Sequence, residues 1–404
     1  MDKKILITGF GYVFSEPPSK NTLESFLKLD FRVSVIHLKK FTKSHTYSIY
    51  ENIETEIPIF WKWTFGPVRR IIEWVTYKKA VNIWLASNNN AYIWCVHLTA
   101  LAAIDFKKAK QKQHKVICNV IDIPSKKYSG FFDRFLNSIA FRNSKSCYLK
   151  IASDHQKAAL FQVFGKLTDL PIVLHNCSKL DYFERYKKED CKQWLHNLLI
   201  PLNIFVNKDT IFLLRAGAIG NYGAIEETIL AMKKLPQELI FILMGRPENN
   251  YKNYLLDFIK ANKMTNRVWL FDRPNDVEWK KILLACDIGH LIHVRPDDNS
   301  RIAAVYDLNS SLSNNRLFQY MSVGVPILSY SDKRLDKIYQ EINCFSVINV
   351  ENLQESIFEH LIILAGSRYK RIVLGKNATQ AFMKEYNWEN QFEKVINIIS
   401  CSNA

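Results

Sequence analysis

No stretch of this chain approaches the roughly 18 to 20 apolar residues that a membrane helix needs. The clearest apolar runs, 211–214 and 361–365, suit strands or core helices. Paired metal-ligand spacing is missing as well. The eight cysteines (Cys95, Cys118, Cys147, Cys177, Cys191, Cys286, Cys344 and Cys401) include no C-x-x-C pair and no accompanying histidine cluster. Buried thiols in a reducing compartment are therefore expected, rather than disulfides or zinc. Acidic residues are scarce beside basic ones: 39 Asp and Glu against 55 Lys and Arg leave a net charge of +16. That excess admits three partners: nucleic acid, an anionic membrane face or an anionic substrate. No recognition-helix, RNP or zinc-finger pattern is present, so nucleic acid is not expected. A strand pattern begins at Lys4, Ile5, Leu6 and Ile7, so no signal peptide is expected. The expected location is cytoplasmic, with peripheral attachment to the inner membrane face left open.

What is present reads as two globular domains. The 404 residues are 48% hydrophobic and 23% charged, enough for two separate cores and typical of folded chains. In the N-terminal half, strand patterns at 4–9, 31–38, 92–96, 115–121, 147–152 and 171–174 alternate with helix patterns at 21–29, 131–141 and 154–164, the last with Ser153 as its expected cap. A polar stretch from about 177 to 209, with Pro201, reads as a linker region. A second series follows: strands at 211–214, 238–244, 268–271, 288–293 and 325–330, and helices at 224–234, 251–261, 276–285, 317–323, 353–364 and 369–385. Alternation of this kind predicts parallel sheets with helices on both faces. The fold class is α/β, with two Rossmann-like doubly wound domains facing across a cleft. Ligands in such folds sit at the carboxyl ends of the strands.

The segment from Ser313 to Pro326 carries the most chemistry. A polar loop opens an amphipathic run with Leu317, Tyr320 and Met321, and Gly324 stops it before the strand beginning at Val325. A helix start that carries Arg316 favours phosphate, because free backbone N–H groups and the guanidinium point the same way. Gln319, one turn in, offers an amide to sugar hydroxyls. Together these predict a grip on a diphosphate and a ribose. The competing reading of Arg316, a surface cation at a helix start, is mildly unfavourable against the dipole. Arg215 at a strand end and Arg246 after Gly245 are further phosphate candidates, each balanced against a plain salt bridge. His290 and His293 both fall in the strand pattern at 288–293, without a third ligand for a metal.

In order along the chain, these motifs resemble the family 4 glycosyltransferases of the GT-B fold. Leu213 to Gly217, with Gly220, Gly223 and the 229–231 helix segment, matches the family's strand, glycine turn and helix. Ile242 to Gly245 matches its strand ending in glycine, and Val268 to Phe271 the strand and loop that cup the base. Cys286 to Gly289, then Asn315 and Arg316, Phe318 to Met321 and Gly324 to Ile327 occupy the remaining landmarks. Ile151 to Ser153, Leu174 to Asn176 and Tyr386 to Glu389 extend the likeness over nearly the whole chain. Several landmarks differ: Gln319 stands at the family's ribose-binding glutamate, Tyr222 at a basic residue of the glycine turn, Ser311 at the first glutamate of a Glu-x7-Glu pair, Pro17, Pro18 and Ser19 in place of a Gly-Gly pair after the first strand, and Ile121 where a histidine is expected.

The resemblance implies a transferase that moves a sugar from a nucleotide-diphosphate donor to a lipid-linked or polysaccharide acceptor in surface glycan synthesis, with retention at the anomeric carbon. No cofactor and no metal is expected. Arg215, Gly217, Arg246, Phe271, Asn315, Arg316 and Gln319 would hold the donor, and His97 and Asp122 would act at the acceptor. The implied domains are 1–185 for the acceptor, 186–209 as linker, 210–385 for the donor and a closing segment 386–404 returning to the first domain. Two other readings stay open: a non-catalytic module that binds a partner or glycan, and a nucleotide-sugar epimerase.

The segment from Ile59 to Trp84 mixes indoles with cations, and Lys107, Lys108, Lys110, Lys112 and Lys115 add a second basic run. Such a mixture suits a lipid headgroup interface and equally a solvated helix face over an aromatic core.

Overall fold

A computed structural model describes residues 3–11, 17–38, 50–55, 66–125, 129–248, 251–294, 315–330 and 341–401. These divide into two compact units, with the boundary between Asn176 and Cys177. The boundary falls at the start of the polar stretch read as a linker. Within that stretch Lys188–Leu199 is a helix, whose Cys191, Leu195 and Leu199 are buried in the second unit. Its apolar positions recur at helical spacing, a signal hidden by the lysines and asparagines around them.

The first unit is built on strands β1 (Lys4–Gly9), β2 (Arg32–Leu38), β3 (Glu51–Thr55), β4 (Tyr92–Val96), β5 (Lys115–Val120), β6 (Leu149–Ala152) and β7 (Ile172–Val173). They form one sheet in the order β3-β2-β1-β4-β5-β6-β7, and every pairing is parallel. Its helices are α1 (Pro17–Lys28), α2 (Gly66–Ser87), α3 (His97–Ala103), α4 (Phe106–Gln111), α5 (Phe131–Asn143) and α6 (His155–Gly165). β4 and the inner part of β5 are buried throughout, as a parallel sheet covered on both faces requires. β3, with sequence ENIET, gave no sequence signal because an edge strand need not be apolar. Helix α6 is capped by Asp154, whose side chain accepts from the Lys157 N–H at 2.8 Å. The expected cap, Ser153, donates to the Ile121 carbonyl instead.

Helix α2 settles part of the aromatic-basic segment. Trp74, Tyr77 and Trp84 are buried, and the Tyr77 hydroxyl lies 2.6 Å from Thr8 Oγ1 under the sheet. Those indoles are core, not interface. The cations beside them are partly spent: Arg69 pairs with Glu73, Arg70 with Asp133, and Lys78 sits over the Trp74 ring. Residues 59–65 lie outside the described residues. Among the described residues no helix is long and apolar enough to cross a membrane, and all eight cysteines are free, seven of them buried.

The second unit repeats the winding. Strands β8 (Ile211–Ala216), β9 (Leu239–Met244), β10 (Val268–Phe271), β11 (Ile288–His290), β12 (Ile327–Tyr330) and β13 (Phe345–Ile348) form a sheet in the order β10-β9-β8-β11-β12-β13, again all parallel. Helix α7 (Lys188–Leu199) is followed by α8 (Ile225–Met232), α9 (Tyr251–Ala261), α10 (Asp276–Ala285), α11 (Asn315–Ser322), α12 (Leu353–Gly366), α13 (Arg368–Lys384) and α14 (Trp388–Cys401). In each sheet the order reverses beside the first strand. The switch points are therefore β1/β4 and β8/β11, and loops diverge there to leave a crevice at the carboxyl ends of the strands.

Candidate donor site at the carboxyl edge of the second sheet

Of the residues expected at a donor phosphate, Gly217 and Arg316 come together at the β8/β11 switch point. Gly217 (φ +101°) directly follows β8, and Gly245 (φ +141°) directly follows β9. These glycines face one another: a Cβ on Gly245 would lie 2.0 Å from the Gly217 carbonyl oxygen. The two following loops are then tied together. Ile219 N–H donates to Arg246 O at 3.2 Å, and Glu248 N–H donates to Ile219 O at 2.9 Å. Glycine at both strand ends is therefore a packing requirement, and it leaves backbone exposed to close approach at that edge.

Arg316 lies across this turn. Its Nη1 donates to Ala216 O at 3.0 Å, and its Nη2 to His293 Nε2 at 2.8 Å. Its aliphatic stem passes so close to Gly217 that a Cβ there would sit 3.1 Å from Arg316 Cδ. Helix α11 delivers it, and α11 is in turn locked to the sheet by Tyr320. The Tyr320 hydroxyl donates to Leu214 O at 2.8 Å and accepts from the Ala216 N–H at 3.0 Å. Gly289 on β11 makes room for the ring, where a Cβ would meet it at 2.6 Å. Tyr320 was read from sequence only as an apolar position on the helix. A Tyr320→Phe variant strips both backbone groups of their buried partner, so a loss of about 1–3 kcal/mol in unfolding free energy is expected. Urea titration checks it; a midpoint unchanged from the parent would refute the locking role.

Arg215, expected at a phosphate, lies instead beneath the glycine turn and is fully buried. Its Nη1 donates to Ile292 O at 2.8 Å and Gly223 O at 3.2 Å, with His290 Nδ1 at 3.3 Å. Gly223 rests on the guanidinium face, where a Cβ would approach Cζ to 2.7 Å. Nε and Nη2 are buried with no partner. Burial, followed by repulsion from Arg316, lowers the Arg215 pKa to about 10. The residue holds the turn in place from below.

Both histidines are kept neutral. Burial pushes the His290 pKa well below 6.5, and Arg215 adds to the effect. Burial and then Arg316 do the same for His293. Neutral His290 can accept from Arg215 at Nδ1 and donate through Nε2 to Thr228 Oγ1 at 3.0 Å, which donates to Ala224 O at 2.6 Å. The pH consequence has a definite sign. Below pH 6.5 the unfolded chain takes up a proton that folded His290 refuses, so acid favours unfolding. Stability should fall by up to about 1.4 kcal/mol per pH unit from this residue as pH drops below 6.5. Unfolding titrations of the parent and a His290→Asn variant at several pH values test this; equal slopes in the two would rule His290 out.

The remaining expected residues are placed as follows. Gln319 is buried, with its amide oxygen unpartnered. It lies one helical turn beyond Arg316 on α11. Asn315 is the first residue of α11 and partly buried. Phe271 ends β10, half-buried and stacked on Trp269 at 4.6 Å. Arg246 is exposed immediately after Gly245. Tyr222 stacks on His293 at 5.9 Å, with planes 14° apart, so the aromatic at that landmark shields the Arg316–His293 pair.

In the first unit, His97 follows β4 at the β1/β4 switch point. It adopts φ +66°, a left-handed conformation uncommon for histidine, where strain is a pointer to a site. Asp122 follows β5, the neighbouring strand. Its carboxylate takes the buried Lys157 Nζ at 2.8 Å, and the same ammonium donates to Ile121 O at 2.7 Å. Lys157 is 1% exposed and was missed from sequence, because a lysine within an amphipathic helix pattern reads as a solvated position.

No family model matches the chain, and no curated protein matches it in sequence. Solved structures match over its full length. HepE of Anabaena, in complex with UDP, superposes with a TM-score of 0.68 at 14% identity, covering 99% of this chain and 100% of that one. WaaG, a glycosyltransferase involved in lipopolysaccharide biosynthesis, gives 0.65 at 13% identity, covering 98% and 99%. Sucrose-phosphate synthase of Thermosynechococcus elongatus gives 0.70 at 11% identity, covering 98% of each chain. The chain therefore has the GT-B fold of nucleotide-sugar glycosyltransferases.

Proposed function

We propose that the protein is a glycosyltransferase that takes a sugar from a nucleoside-diphosphate donor and passes it to a lipid-linked or polysaccharide acceptor in surface glycan synthesis. The observation that carries this is Arg316, held over the Gly217 turn at the topological switch point, with the unpartnered amide oxygen of Gln319 one turn away. Arg316 and Arg215 repel one another and both depress the neighbouring histidines. Such an edge has a surplus of positive charge that an anion relieves. A donor diphosphate supplies that anion, and a ribose hydroxyl can donate to Gln319 Oε1, where an amide oxygen serves as acceptor. UDP in the HepE complex and UDP-glucose in another HepE complex favour this class of donor.

In transfer, the bond between the anomeric carbon and the β-phosphate oxygen breaks, and a bond from an acceptor hydroxyl oxygen forms. Charge collects on the leaving diphosphate. Arg316 and the backbone N–H groups at the start of α11 stabilise it, which is the largest electrostatic task in such chemistry. The hydroxyl proton passes to a base or to the departing phosphate. His97 is the proposed group at the acceptor; Asp122, bound to Lys157, positions that strand end.

The test is calorimetric titration with UDP, GDP and ADP, followed by hydrolysis and transfer assays with the matching sugars. Saturable binding of one nucleotide with turnover of its sugar conjugate is the expected result. Tight nucleotide binding without any turnover would favour the second reading, a binding module, to which Gln319 and Tyr222 at two landmark positions lend weight. No nucleotide binding at all would sink the donor assignment.

A further inference from the structure

The first unit contains a cavity of about 570 Å³ between α5 and α6, within the size range of ligand sites. Four cations line it, Arg134, Arg142, Lys145 and Lys166, and among the described residues no acidic side chain does. Among the described residues none of the four makes an ion pair. This contrasts with Arg69 and Arg70 on α2, which are paired with Glu73 and Asp133. The helix ends explain only part of the surplus. Arg142 lies in the last turn of α5 and Lys166 caps α6. Each helix C-terminus carries about half a negative charge, so the two together offset about one of four positive charges.

A second feature points inward. Asn137 lines the cavity, is only 9% exposed and has a side-chain amide with no partner among the described residues. Its amide atoms are not fully buried but open onto the cavity, where a bound group can take the place of water as their partner. Phe141 and Phe164 complete the wall, so the site joins a cationic rim to an apolar side. The α5 stripe that carries Arg134, Ser138 and Arg142 also carries Phe131 and Phe135, which are 82% and 53% exposed. Positions 131, 134, 135, 138 and 142 share one helix face.

We propose that this cavity binds a phosphate monoester, with the cations on its oxygens, the Asn137 amide donating to it, and Phe141 and Phe164 against its organic part. Charge-assisted bonds from arginine and lysine suit a phosphate dianion. The phosphate can belong to a soluble sugar phosphate or to a lipid headgroup, and Phe131 and Phe135 lie where a lipid surface would meet them. The site is in the first unit and does not rest on the donor assignment, which is tested through Arg316.

The probes are phenyl phosphate by calorimetry, and sedimentation with phosphatidylcholine vesicles with and without phosphatidic acid. Both use the full chain in an Arg316→Ala background, so that the donor edge does not contribute. Saturable phenyl phosphate binding is expected. A combined Arg142→Ala and Lys145→Ala variant should weaken it about 100-fold, as loss of two charge-assisted bonds implies. A combined Lys107→Ala and Lys110→Ala variant, with the same charge change on α4, should bind as the parent does. Sedimentation that depends on phosphatidic acid and on Arg142 and Lys145 supports the site with a lipid source. Phenyl phosphate binding without vesicle binding supports it with a soluble source. No binding of either probe, or equal losses in the α4 and cavity variants, would overturn it. Both pairs of substitutions are at exposed or partly exposed positions, and thermal melts confirm that the variants fold.

Discussion

Replacing Arg316 by alanine is expected to abolish measurable sugar transfer and to weaken nucleoside-diphosphate binding by about two orders of magnitude or more. Truncating a partly buried charged partner of a ligand phosphate costs roughly 2–5 kcal/mol, and each 1.4 kcal/mol is tenfold. The side chain has two duties that must be separated. It ties α11 to β8 through Ala216 O and pairs with His293, and on the proposal it also meets the donor diphosphate. Arg316→Lys keeps the charge but loses the planar fork that reaches two partners at once. The lysine variant should therefore recover part of the binding, whereas a purely structural role would leave it as damaged as alanine. Melting curves run beside the titrations control for unfolding. Alanine and parent proteins with equal nucleotide affinity would remove Arg316 from the site.

Gly245→Ala should be the most damaging single methyl group in the second unit. The added carbon would stand 2.0 Å from Gly217 O, a backbone atom that cannot rotate away as a side-chain tip would. The position also has φ +141°, a conformation that L-residues rarely adopt. Overpacking typically costs about 1–3 kcal/mol, and left-handed backbone adds about 1–2 kcal/mol for a residue with a Cβ. A combined loss of about 3 kcal/mol or more is expected, together with loss of donor binding, because the β8 and β9 loops are tied to one another at this contact. Gly66→Ala is the control: a Cβ there meets nothing within 4 Å, and the first residue of a helix tolerates alanine. Chemical denaturation of both variants decides the matter. Equal midpoints for Gly245→Ala and Gly66→Ala would show that the two glycines do not need to touch.

The central strands were legible because they are buried on both faces and read as continuous apolar runs; β9, LIFILM, is the extreme case. Two edge strands, β3 and β13, were not, since ENIET is polar and FSVI is only four residues long, whereas the edge strands β7 and β10 were read. At the site, Arg316 and the glycines at 217 and 245 were legible from their position at a helix start and at strand ends. Arg215 was misplaced. A cation at the end of an apolar strand gives no sign of whether it faces the crevice or lies under the next turn, and here Gly223 closes over it. Lys157 and Asn137 gave no signal at all, because a polar residue at a helix position looks solvated until the neighbouring helix is in place.

The local order of the chain, apolar runs broken by glycine and helix starts in a repeated alternation, was enough to determine two parallel α/β sheets and the edge at which a ligand would be held. Only the tertiary structure decided which cations reach that edge, which are enclosed, and which surround a separate cavity in the first unit. The reason is that burial of a long cationic side chain depends on which distant segment packs against it, and that information is shared among residues far apart in the chain.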